Sequence, residues 1–130
     1  MSANLDLVRS IYAEWERGDF SSTGWAHPEI EFEAIGGLEP GRAHGIPGMA
    51  RAMREFLTAW EGYRVETEEY RELDDEGILV LTRDTARGRT SGVDMVQARA
   101  YVLQLQRGKV TRFTSYWDRD RALADLGLEG

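Results

Sequence analysis

The sequence predicts an α+β domain in which helices pack on one face of a curved, mainly antiparallel sheet, and two observations carry that prediction. The hydrophobic period is near 3.6 residues in two stretches of the first half and switches to 2 at Tyr63. From there four strand-length runs follow one another, separated by "DDEG", "RTSG" and "RG", connections short enough to make neighbouring strands antiparallel. Helix, strand, helix and then a meander is the order of an α+β fold with its helices gathered on one side of the sheet.

Each element has its own warrant. Over Asn4 to Arg17, Leu5, Val8, Ile11, Tyr12 and Trp15 recur at three- and four-residue spacing; Ser2 or Asn4 caps the helix and Gly18 ends it. "DFSSTGW" is a short helical turn or loop that carries Trp25. In "HPEIEFEAIGG" Ile30, Phe32 and Ala34 alternate with Glu31, Glu33 and Ile35, which is a strand with one mainly apolar face, closed by Gly36 and Gly37. "LEPGRAHG" is a loop on its turn residues. "IPGMARAMREFLTAWEGY" is the second helix: Pro47 suits its first turn, Met49, Met53, Phe56, Leu57 and Trp60 form its stripe, and Gly62 closes it. "YRVETEEYREL", "GILVLTRDTARG", "VDMVQARAYVLQLQ" and "KVTRFTSYW" are the strands of the meander. A last short helix follows Asp118, with Ala122, Leu123 and Leu126 inward and Gly127 at its end. Nothing marks a linker, so residues 1–130 are expected to form a single domain.

Composition narrows the function classes. Apolar residues at 42% and charged residues at 30% are the balance of a globular chain. A net charge of −7 argues against a nucleic-acid partner and an anionic membrane surface, since both are bound by displacing counterions with Lys and Arg. The chain has no cysteine, which excludes disulfides, thiolate nucleophiles and cysteine-built zinc sites. No run approaches the roughly 20 apolar residues a membrane helix needs, and "MSANLDLVRS" has no basic region followed by an apolar block, so a cytoplasmic protein is expected.

The order of elements, with "RGDF", "HPEIEFEAIGG", "HGIPGMARAMREFL", "RGRTSG", "RGKVTRFTSYWDRDRAL" and "LGL", resembles the SnoaL-like branch of the nuclear transport factor 2-like superfamily over essentially the whole chain. The resemblance implies a cone-shaped domain: helices close one end of a bent sheet and a mostly apolar pocket opens at the other. It also implies a homodimer formed through the outer sheet face, and chemistry such as ketosteroid isomerisation, polyketide cyclisation or epoxide hydrolysis that uses no metal and no organic cofactor. Fold alone does not choose among these or between enzyme and binder.

Residue by residue the resemblance is uneven. Where ketosteroid-isomerase-like members carry a general-base aspartate near the end of the first strand, this chain has Ala34. Where a protonated carboxylic acid holds the oxyanion, it has Tyr101, whose hydroxyl either donates such a bond or fills the pocket wall. Epoxide-hydrolase-like members have an acid three residues before the helix-initiating aspartate; here that position is Ser115. Their other acid matches Asp84, and Arg83 beside it is one residue off the usual alternate spacing, which on a strand means the opposite face.

Strand parity decides the rest. Arg83, Arg87 and Arg89 share a face that prefers water, which turns Thr82, Asp84 and Ala86 toward the pocket. Asp84 then is either a desolvated pocket carboxylate, raised toward the range useful for acid-base work, or an edge aspartate paired with a neighbouring arginine. Met95, Gln97, Arg99, Tyr101, Leu103 and Leu105 share one face of the next strand. Arg99 therefore either slips outside at a bulge or enters the cavity and pairs with Asp84. Trp15, Trp25, Trp60 and Trp117, with Ala34, Leu103, Phe113 and Ser115, are read as pocket lining or as plain core. The candidate catalytic residues are Asp84 for proton transfer and Tyr101 as hydrogen-bond donor, and the partner implied is a small hydrophobic ligand. Asp118 is read as a helix cap, Glu33 as a reserve acid should the first strand's register reverse, and His44 as a residue of the pocket rim. Neither His27 nor His44 has a local metal-ligand spacing.

Overall fold

The computed structural model describes residues 2–37 and 40–128. Its order is α1 Ala3–Glu16, β1 Ala26–Ile35, β2 Gly41–His44, α2 Gly45–Thr58, β3 Trp60–Glu72, β4 Gly77–Gly88, β5 Asp94–Gln106, β6 Lys109–Tyr116 and α3 Arg119–Asp125. The six strands form one open mixed sheet in the order β2-β1-β6-β5-β4-β3. β3 to β6 are an antiparallel meander, as their short turns require, while β1 joins it by pairing parallel to β6.

Both faces of the sheet are used. On the inner face Val8, Ile11, Tyr12 and Trp15 of α1 and Met49 of α2 pack on Val65, Ile78, Val80, Tyr101, Leu103, Leu105, Val110 and Phe113. On the outer face Ala122 and Leu123 of α3 cover Leu79, Leu81, Ala100 and Tyr116. Burying each large apolar side chain stabilises the fold by about 1.5–3 kcal/mol, so these two clusters fix which way every strand faces. Caps set the helix ends: the Ser2 hydroxyl accepts from the Leu5 N–H at 2.9 Å, and Asp118 accepts from the Asp120 N–H at 3.0 Å. Asp118 is therefore a cap.

Two expectations are corrected. "LEPGRAHG" is not all loop: Leu38 and Glu39 lie outside the described residues, but Gly41–His44 pairs antiparallel with Glu31–Ala34. A four-residue edge strand is held by backbone bonds, which leave no period in its side chains. The second helix ends at Thr58, so Trp60 begins β3 instead of closing the helical stripe. Arg89 holds that exchange: its side chain donates to the carbonyls of Thr58 and Trp60, each at 3.0 Å, and its backbone N–H to Ala59. Gly62, at φ +59°, takes the left-handed turn inside the irregular start of β3.

Candidate functional site

Between the inner face of the sheet, α1 and α2 lies a cavity of about 480 Å³. Its walls are mostly rings and apolar chains, among them Trp15, Phe20, Phe32, Met53, Phe56 and Phe113, with Trp117 beside Gly36 and Gly37. Phe32 stacks on Phe113 with centroids 5.6 Å apart. At one end the wall turns polar, with Tyr63, Arg99, Tyr101 and Ser115. Pairing explains their proximity: Ser115 stands opposite Tyr101 and beside Ala34, and Arg99 stands opposite Thr82, two residues from Asp84.

Asp84 is fully buried. Its Oδ2 accepts the hydroxyl of Tyr63 in a short hydrogen bond, that of Tyr101 at 2.9 Å, and lies 3.5 Å from Arg99 Nη1, while its Oδ1 has no protein partner among the described residues. Arg99 is only 5% exposed. Nη1 also donates to the Tyr63 oxygen at 2.7 Å, Nη2 donates to Ser115 Oγ, and Nε donates to the Tyr116 carbonyl at 3.3 Å. The guanidinium carbon lies 4.9–5.2 Å from the ring centroids of Tyr101, Trp117 and Phe56. From the outer face Arg119 donates to the backbone oxygens of Thr82 and Arg99 and to Glu68, which ties β4 and β5 together beneath the site.

The electrostatics follow from burial. Desolvation pushes the hydroxyls of Tyr63 and Tyr101 well above the ordinary tyrosine range, and the Asp84 carboxylate adds to it at both against the pull of Arg99. Both phenols keep their protons. Burial works against the charge on Arg99, the Asp84 carboxylate 3.5 Å away favours it, and the guanidinium stays charged.

The residues read from the sequence fall into three groups. Trp15, Ala34, Arg99, Tyr101, Phe113, Ser115 and Trp117 line the cavity. Asp84 faces the same side, with Arg83 and Arg87 exposed as parity requires, but its carboxylate sits behind Tyr63, Tyr101 and Arg99 instead of lining the hollow. Trp25, Trp60 and Leu103 do not line it. Trp25 belongs to the core around Trp15 and Phe113, its Nε1 donating to the Ser22 carbonyl at 2.8 Å. Trp60 lies behind Trp117, stacked on it at 6.0 Å and 17°. Leu103 is fully buried in the core of the inner face, paired with Ile78 and Phe113. Of the two readings left open for Arg99, the inward one is the structure's. Glu33 faces outward and pairs with Arg42 at 3.3 Å. His44 is away from the cavity, on the outside of β2 between Glu31 at 2.8 Å and Glu29 at 3.1 Å.

Tyr63 is the residue the sequence reading missed. It is the fourth residue of β3, two before Val65, which stands opposite Asp84, so the alternation that turned Val65 inward would have turned Tyr63 inward too. The sequence reading begins the strand at Tyr63 but assigns it no inner face.

Two helices over the inner face of an open six-stranded sheet, with an apolar cavity that has a polar end between them, are the features of a nuclear transport factor 2-like fold. No family model matches the sequence, and no curated protein matches it. Solved structures do. A nuclear transport factor 2-like protein of unknown function from Burkholderia pseudomallei K96243 superposes with a TM-score of 0.81 at 21% identity, over 95% of this chain and 97% of its own. TerC, co-crystallised with polyporic acid, gives 0.78 at 20% identity over 96% and 98%. A candidate SnoaL-like polyketide cyclase from Jannaschia sp. CCS1 gives 0.77 at 12% over 98% and 94%. The chain has the nuclear transport factor 2-like fold, the form shared with SnoaL-like proteins. Among the described residues no helix is long and apolar enough to cross a membrane.

Proposed function

We propose that the protein takes a flat hydrophobic molecule of the polyketide, terpenoid or steroid kind into this cavity and shifts a proton on it without a cofactor, as an isomerase or cyclase. The observation that carries the reading is the buried Arg99–Asp84–Tyr63–Tyr101 cluster at the end of a hollow lined mostly by rings and apolar chains, with Arg42 and Glu55 also on its wall. A buried ion pair is no better for stability than well-packed apolar side chains of the same volume, so its position against the cavity favours a chemical role. TerC, of the same fold, was crystallised with polyporic acid, which supports an aromatic ligand.

Asp84 does not meet the substrate itself. In the proposed step the Tyr101 oxygen takes a proton from the carbon beside a substrate carbonyl while the Tyr101 hydroxyl proton passes to Asp84 Oδ2. The C–H electron pair moves onto the carbonyl as an enolate beside Arg99, and the reverse relay returns the proton at another carbon. Asp84→Asn abolishes the acceptor. Turnover of an identified substrate unchanged in that variant ends the proposal.

A second reading is a binder without turnover. Its support is that Ala34 stands where the resemblance expects a base and that Asp84 lies one layer behind the wall. Tryptophan fluorescence against a panel of flat hydrophobic compounds, with turnover measured on the same panel, separates the two. A hydrolase has less support, since Ser115 stands where the resemblance expects an acid. We also propose that two copies pair through the outer sheet face, near Val96, which is 62% exposed on β5; sedimentation at equilibrium tests it, and a monomer at micromolar concentration removes it.

A further inference from the structure

The protons at the polar end of the cavity are unevenly distributed. Tyr63 and Tyr101 both donate inward to Asp84, so neither hydroxyl proton is offered to the hollow. Ser115 Oγ accepts from Arg99, which leaves its own proton free, and one Nη2–H of Arg99 has no partner among the described residues. Rings of Phe56, Tyr101 and Trp117 stand against the guanidinium, which restricts a ligand to its N–H edge. Arg99 and Ser115 both line the cavity and are hydrogen-bonded to each other, so their remaining donors lie side by side on a wall that elsewhere carries Arg42 and Glu55.

We propose that this pair selects ligands carrying an anionic oxygen on a flat conjugated ring system, an enolate, acidic enol or phenolate, seated on Arg99 Nη2–H and Ser115 O–H with its ring body between Phe32, Phe113 and Trp117. This names the substrate class of the site above and rests on that reading. A charged acceptor gains more from these donors than a neutral carbonyl of the same shape, because charge-assisted bonds are shorter and stronger. The rings against the guanidinium lower the local dielectric, which strengthens such a bond.

The test is calorimetric titration of the intact protein at neutral pH with three probes of one shape: 2-hydroxy-1,4-naphthoquinone, which is deprotonated there, 1,4-naphthoquinone, and naphthalene. The chain has no cysteine for the quinones to alkylate. The hydroxyquinone is expected to bind about tenfold more tightly than the quinone, or better, and its anion absorbance to persist to lower pH when bound. Ser115→Ala keeps the ion pair intact and is expected to reduce that preference; Arg99→Gln is expected to abolish it, with naphthalene binding retained in the serine variant. Naphthalene and quinone binding with no preference for the anion overturns this inference and leaves the pocket reading standing. Binding of none of the three overturns the pocket reading and this inference together. A preference that survives both substitutions overturns the assignment to these two residues.

Discussion

Replacing Asp84 with Asn keeps the shape of the side chain but leaves the Arg99 charge buried with no counter-charge. The two groups are 3.5 Å apart with side chains 0% and 6% exposed. At an effective dielectric of about 20 that separation corresponds to an attraction of about 5 kcal/mol, and breaking a buried pair by removing one partner costs about 3–5 kcal/mol. For a domain whose whole stability is about 5–15 kcal/mol, such a loss takes a large share of it. Arg99→Met alone should cost a similar amount, because it strands the carboxylate. The double variant Asp84→Asn/Arg99→Met should cost much less than the two losses combined, since apolar packing substitutes well for a buried pair. Urea unfolding of all four proteins, followed by far-UV circular dichroism, measures the coupling. Single variants that each lose under about 1 kcal/mol, with additive effects, would show an exposed, screened pair of the surface kind and refute the desolvated site.

Tyr63→Phe removes the hydroxyl that both donates to Asp84 and accepts from Arg99, and urea unfolding should show a loss of about 1–3 kcal/mol with the cavity's affinity for naphthalene little changed. Trp117→Phe should reduce the ligand-induced change in tryptophan fluorescence, leaving the part that Trp15 reports, whereas Trp25→Phe should leave it intact, because Trp15 and Trp117 line the cavity and Trp25 does not. Asp118→Ala should lower stability by about 1 kcal/mol through loss of a helix cap and leave ligand affinity unchanged. His44, whose hydrogen bonds to Glu31 and then Glu29 raise its pKa, should titrate above an ordinary histidine in an NMR pH series. Because the folded value is the higher one, its contribution is full below the unfolded histidine pKa and fades as pH rises through the folded value. Glu31→Gln should bring the titration down toward the ordinary position.

Much of the fold was legible in the sequence because hydrophobic period and turn residues record it directly. The change from 3.6 to 2 read at Tyr63 falls three residues inside the first strand of the meander, which begins at Trp60, and Arg83 and Arg87 on one side indicate the face of β4 that holds Asp84. What period records is the face, not the depth. Asp84, Trp60 and Leu103 all belong to cavity-side elements, yet one sits behind two tyrosines, one behind another tryptophan and one under the core, and alternation has no signal for that layer. β2 was illegible for another reason: its pairing with β1 is carried by backbone amides. Arg99 was the hardest position, since three neighbouring rings and a carboxylate from the adjacent strand are what make an inward arginine tolerable, and those partners come together only in the folded sheet.

A crystal structure of the protein grown with 2-hydroxy-1,4-naphthoquinone tests the central claim most directly. The account predicts density for the ring body against Phe32, Phe113 and Trp117, with the deprotonated oxygen within hydrogen-bond distance of both Arg99 Nη2 and Ser115 Oγ. A hollow closed by its own aromatic rings, or an Arg99 side chain turned out to solvent with Asp84 hydrated, would contradict it.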